Sequence, residues 1–144
     1  MKSIIVLNGP NLNLLGNREP EIYGADTLAD IEKLCMKKAI SLNIQVSFFQ
    51  SNIEGELVNE IQKSKDKQDG IILNAGAYTH TSIAIMDALI ATQVPTIEVH
   101  ISNIYHRESF RHVSYISKAT IGQICGFGIY GYSMALDAII QNNL

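Results

Sequence analysis

Short apolar runs rich in β-branched residues alternate along this chain with stretches whose apolar residues recur every three to four positions. Ile4–Leu7 reads as a buried strand. Leu28, Ile31, Leu34, Cys35 and Leu42 keep helical spacing. Thr27-x-x-Asp30 stands at their start as a capping box, in which hydroxyl and carboxylate each accept from the other residue's backbone amide. Ile44–Phe49 predicts a second strand, and Ser51-x-x-Glu54 the opening of a helix that carries Leu57, Val58 and Ile61. Asp69-Gly70 turns into a third strand, Ile71–Leu73. Ile83, Met86, Leu89 and Ile90 predict a third helix, stopped before Pro95 because the residue preceding a proline is driven out of the helical region. Thr96–Ile101 and Thr120–Cys125 read as strands four and five, and Gly131–Gln141 as a last helix.

Strands alternating with helices imply βαβ units, a parallel sheet and right-handed crossovers. Five such strands predict an α/β fold, a flavodoxin-like doubly wound sheet in three α/β/α layers. The 144 residues fit one domain spanning residues 1–144, with no repeat, low-complexity tract or linker.

Composition narrows the class. Hydrophobic residues make up 47% and charged residues 17%, which excludes a disordered chain. A net charge of −3 offers no surface for nucleic acid or membrane. Cys35 and Cys125 are not spaced as a metal pair and read as buried small hydrophobes. The chain opens with only four apolar residues, Ile4 to Leu7, too few for a signal peptide, and no run approaches a membrane span. A cytoplasmic protein is expected by default.

In a doubly wound sheet, ligands bind outside the carboxyl ends of the strands. The residues just beyond each strand are therefore informative. The first strand leads into a long loop rich in Asn and Gly, with Asn11, Arg18 and Tyr23. Residues 9–24 of it are too long for a plain connection and suggest a lid, hinged near Pro20 and Gly24. Strand three runs into Asn74-Ala75-Gly76 and then His80. Strand four carries Glu98-Val99-His100, with Ser102 just beyond. Alternation puts Glu98 and His100 on one face, where a carboxylate can orient an imidazole. A salt-bridged pair at a strand end is the plainer alternative. For Tyr23 the alternative is a loop aromatic packed on the core.

The cations are segregated. Arg18, Arg107 and Arg111, with His80, His100, His106 and His112, lie in strand-end loops or after strand four, whereas the lysines lie elsewhere. Guanidinium groups suit carboxylate recognition. No lysine is placed at a strand end for Schiff-base chemistry. Gly126-Phe127-Gly128-Ile129-Tyr130-Gly131 matches G-x-G-x-x-G, yet only 13 residues remain after it, without the strand and acid of a dinucleotide site. These glycines read as a tight turn with close helix–sheet packing. Glu98, His100 and His80 could hold a metal in principle, but no H-E-x-x-H pair or Cys/His cluster accompanies them. The residues thus point to acid–base chemistry on a small anion.

Several motifs, taken together, carry a resemblance. They are Asn8-Gly-Pro-Asn-Leu-Asn-Leu-Leu-Gly-Asn-Arg-Glu-Pro20 with Tyr23-Gly24, Asn74-Ala-Gly-Ala-Tyr-Thr-His80, Glu98-Val-His-Ile-Ser-Asn103 and Arg107-Glu-Ser-Phe-Arg111. On these residues the chain resembles the type II 3-dehydroquinate dehydratases of the shikimate pathway, over nearly its whole length. The resemblance implies dehydration of 3-dehydroquinate to 3-dehydroshikimate without metal or cofactor, by anti elimination through an enol or enolate. It implies that Tyr23 is the base, Arg18 the residue that activates it, and His100 the acid, oriented by Glu98. Asn11 would stabilise the enolate. Asn74, His80, Asp87, Ile101, Ser102 and Arg111 would bind substrate. Arg107 could add to Arg18 from the other side of the tyrosine. The resemblance also implies a dodecamer of four trimers in which Asp87 comes from a neighbouring subunit. On sequence alone Asp87 is equally a solvated helix residue.

Other classes fit less well. A receiver domain needs acids after strand one and a late strand-end lysine, but Asn8 ends that strand and Lys118 precedes strand five. A flavin-binding module gives no reason for Arg18, Tyr23 and the Glu98/His100 pair. A non-catalytic scaffold on the same fold stays open.

Overall fold

The computed structural model describes residues 1–142. Five strands form one parallel sheet: β1 (Ser3–Asn8), β2 (Gln45–Gln50), β3 (Gly70–Asn74), β4 (Thr96–His100) and β5 (Gly122–Cys125). Their order across the sheet is β2-β1-β3-β4-β5, the flavodoxin-like doubly wound arrangement. Among the described residues, five α-helices accompany them: α1 (Pro20–Tyr23), α2 (Leu28–Leu42), α3 (Glu54–Ser64), α4 (Ile83–Thr92) and α5 (Tyr130–Gln141).

Strand alternation distributes the core. On β1, Ile4 and Val6 face Ile31 and Cys35 of α2 and Tyr132, Leu136 and Ile139 of α5. Ile5 and Leu7 face the opposite way, onto Leu57 and Ile61 of α3 and Ile85 and Leu89 of α4. The central strands β1, β3 and β4 are therefore almost wholly buried, as a sheet covered on both faces requires; β1 and β3 are mainly apolar, whereas β4 also buries Thr96, Glu98 and His100. Each fully buried Ile or Leu contributes ~1.5–3 kcal/mol.

Local signals act as expected at several ends. The Thr27 hydroxyl accepts from the Asp30 amide, and the Asp30 carboxylate accepts from the Thr27 amide, closing the predicted box at the start of α2. Ser82 caps α4 by accepting from Ile85. The start of α3 differs. Ile53 is its N-cap, while the Ser51 hydroxyl accepts from the Ile53 amide and donates to Glu56. Serine there shapes the approach to the helix instead of capping it. β5 is shorter than predicted and starts at Gly122, because Thr120 closes a 3₁₀ turn over Ile116–Ala119.

The carboxyl ends of β1 and β3 are drawn together, with Asn8 level with Asn74. The Gly9 amide donates to the Asn74 carbonyl at 2.8 Å. A Cβ at Gly9 would lie 2.4 Å from the Ala75 carbonyl oxygen, so the position accepts only glycine without backbone movement. Near the end of the chain, the positive φ of Gly126 (96°) and Gly128 (62°) makes the tight turn between β5 and α5.

Candidate active site

The loop after β1 is not structureless. Its base holds a 3₁₀ turn, Leu12–Leu14, and its far end folds into α1. Pro20, read from the sequence as a hinge, instead occupies the first turn of α1, where its fixed φ and missing N–H are accommodated. The chain reaches these turns through Asn11 (φ 68°) and Glu19 (φ 40°), both left-handed, a conformation that non-glycine residues adopt at some energetic expense. Asn52 anchors the base by accepting from the Asn11 amide at 2.9 Å. The outcome is that Tyr23 is brought back over the strand ends.

A cleft of about 210 Å³ lies there. Asn11, Arg18 and Tyr23 line it from the loop after β1, and Asn74 and His80 from the segment after β3. His100, Ile101 and Ser102 line it from β4 and its end, and Arg107 and Arg111 from the segment beyond. Its volume is below the range of about 300–1,000 Å³ for drug-sized sites, so the ligand is small. Three guanidinium groups and two imidazoles line it, and no Asp or Glu does, so the ligand is an anion. A larger groove between α2 and the start of β2 has no charged residue in its lining.

Glu98 lies beneath the cleft, fully buried. The His100 Nε2–H donates to its Oε2 at 2.5 Å, which leaves Nδ1 as the second ring nitrogen of a residue that lines the cleft. The His80 ring stacks on His100, with centroids 6.3 Å apart and planes at 22°. His80 Nδ1–H donates to the Val113 carbonyl at 2.8 Å. Burial pushes the His80 imidazole below its ordinary value, and the nearby charges of His100 and Arg111 act in the same sense, against the Val113 hydrogen bond. His80 thus favours the neutral form.

Around Tyr23 the two arginines divide. Arg107 Nη1 donates to the hydroxyl oxygen at 2.8 Å. Arg18 sits over the ring, 4.8 Å from its centroid, and pairs with Glu19 at 3.5 Å. The direct hydrogen bond to the phenol thus comes from Arg107, which sequence reasoning held only as an addition to Arg18. The reason is geometric. Arg18 shares a loop with Tyr23, and the turn into α1 stacks it against the ring face.

Asn74 is held from below. The Tyr132 hydroxyl of α5, fully buried, donates its single hydrogen to Asn8 Oδ1 at 2.5 Å. It can then only accept from Asn74, whose Nδ2 lies 2.9 Å away. Burial pushes the Tyr132 phenol up, so it remains a neutral donor. The Gly76 amide donates to Asn74 Oδ1 at 3.1 Å, and both ends of the Asn74 amide are fixed. Tyr132 was missed from sequence, where it reads as one more apolar residue of a helix.

Asp87 does not reach this cleft. It stands exposed on α4, away from the strand ends. Among the described residues no group of three or more His, Cys, Asp and Glu side chains could hold a metal ion. No described helix is long and apolar enough to cross a membrane.

A doubly wound sheet whose carboxyl edge gathers a tyrosine, two histidines and three arginines around an acid-free cleft defines an α/β enzyme of acid–base chemistry on a small anion. Residues 2–140 match the family described as Dehydroquinase class II. The chain belongs to that family. A 3-dehydroquinate dehydratase of Dinoroseobacter shibae is 58% identical over 136 residues, 94% of this chain and 91% of the relative. One from Endomicrobium trichonymphae is 59% identical over 141 residues, 98% of this chain and 99% of the relative. The crystal structure of a type II dehydroquinase from Butyrivibrio crossotus superposes with a TM-score of 0.94 at 45% identity, covering 96% of this chain and 97% of that one.

Proposed function

We propose that this chain dehydrates 3-dehydroquinate to 3-dehydroshikimate in the shikimate pathway, by anti elimination through an enol or enolate. The observation that carries the mechanism is that Tyr23 and His100, from different loops, line one arginine-rich cleft free of carboxylates. Tyr23 removes a proton from the carbon next to the ketone. Arg107 and Arg18 stabilise the charge that its oxygen must carry before it accepts that proton. Asn11 stabilises the enolate oxygen. His100, oriented by Glu98, protonates the departing hydroxyl, which leaves as water. Asn74, His80, Ile101, Ser102 and Arg111 hold the substrate. The 9–24 loop acts as a lid that excludes water when substrate is bound.

The assembly belongs to the same reading. Ile83 and Ile90 on α4 are 54% and 52% exposed and stand one turn to either side of Asp87. An apolar stripe around an acid that the chain's own cleft does not use supports a trimer in which Asp87 completes a neighbour's site, and a dodecamer of four trimers. A cytoplasmic location completes the proposal.

The test adds dehydroquinate to the purified protein with a chelator present. The product is a conjugated enone, so ultraviolet absorbance rises. No rise with wild type, or an equal rise with Tyr23→Phe, defeats the assignment.

A further inference from the structure

Glu98 is fully buried, yet it is not satisfied by His100 alone. Gln123 Nε2 donates to its Oε2 at 2.7 Å. The Ser114 hydroxyl lies 3.0 Å from both carboxylate oxygens. The two donors come from different parts of the chain. Gln123 is the residue level with Glu98 on the adjacent strand, β5, and its side chain crosses that short gap. Ser114 belongs to the segment beyond β4 that also brings Arg107 and Arg111. The Ser117 amide donates to the Ser114 oxygen at 3.1 Å, which helps aim the hydroxyl hydrogen at Glu98. Neither residue lines the cleft.

A buried carboxylate with a single partner can turn about its last bond and present either oxygen. Donors converging from three sides leave it one orientation. We propose that Ser114 and Gln123 are positioning residues for His100. They hold Glu98 in the rotation in which Oε2 receives the imidazole Nε2–H, and so keep Nδ1 turned to the cleft. A carboxylate without them leaves the ring loose, and proton delivery to the departing hydroxyl slows while substrate binding stays as it is. Their effect on turnover rests on the acid role proposed for His100.

Gln123→Met and Ser114→Ala test it. Gln123 is largely exposed and methionine keeps its length, so that variant folds. Each variant is expected to lower kcat roughly tenfold, the effect of one hydrogen bond to a charged group, with KM within about twofold of wild type. The double variant loses less than the product of the two, because both act on one carboxylate. Proton NMR supplies a readout independent of turnover: the downfield His100 Nε2–H resonance shifts or broadens in both variants. A kcat within about twofold of wild type in both variants overturns the proposal. So does an unchanged resonance. If wild type fails to dehydrate dehydroquinate, the functional reading falls, and the resonance alone decides whether Ser114 and Gln123 position the ring.

Discussion

Arg107 donates to the Tyr23 hydroxyl oxygen at 2.8 Å, whereas Arg18 meets the same residue only across its ring face. A guanidinium bonded to the oxygen stabilises charge there more than one stacked on the ring. Arg107→Ala is therefore expected to lower kcat by roughly ten- to hundredfold, the loss of one charge-assisted hydrogen bond. Arg18→Ala is expected to lower turnover more than it weakens binding. Steady-state kinetics checks both, and wild-type turnover in either variant removes that arginine's role.

In the proposed mechanism His100 and Tyr23 act on different bonds, so their losses are expected to separate. His100→Ala is expected to abolish dehydration nearly completely and to leave proton exchange at the carbon next to the ketone. Incubation in deuterium oxide with subsequent mass spectrometry of recovered substrate reads this directly. Full dehydration by that variant removes His100 as the acid.

His80 contributes a pH dependence of known sign. Its imidazole is depressed below the ordinary 6.5, chiefly by burial, so the unfolded chain binds this proton more readily than the folded one. Stability attached to His80 is complete above about pH 6.5 and is lost as pH falls below it. Between about pH 8 and 5.5 the wild-type Tm is expected to fall further than that of His80→Asn, as differential scanning fluorimetry would show. Equal falls contradict the burial seen for this ring.

The two thiols differ in access. Cys35 is fully buried between α2 and the sheet, and burial pushes its thiol up to about 12. Cys125 is half-buried at the end of β5. Brief iodoacetamide treatment of the native protein is expected to modify Cys125 alone, with both modified in denaturant. Comparable labelling of Cys35 in the native protein indicates that the α2 layer opens.

The 9–24 loop is expected to lose protease sensitivity when a substrate analogue binds. Identical digestion patterns with and without the analogue count against a lid.

Much of this architecture was legible in the residue pattern. Apolar runs and three-to-four spacing placed every strand and the four long helices, since burial on both faces leaves that signature. Alternation alone predicted that Glu98 and His100 would meet. What escaped were partners joined through the fold. Ser114 lies 16 residues after Glu98 in a segment without periodicity, and Gln123 reads as an ordinary polar residue of an edge strand. Tyr132 contacts Asn8 across 124 residues. Such pairs depend on strand order and register, which no local pattern encodes. Asp87 is the reverse case. The resemblance named it, and the single chain leaves it facing solvent.

The buried Asn8–Tyr132–Asn74 network also has a consequence for biosynthesis. The floor of the cleft draws on residues from the first strand and the last helix, so no nascent chain shorter than 132 residues can build it. Domains emerge from the ribosome over seconds, N-terminal part first. The arginine-lined edge of the sheet therefore waits, without that floor, until α5 has been made.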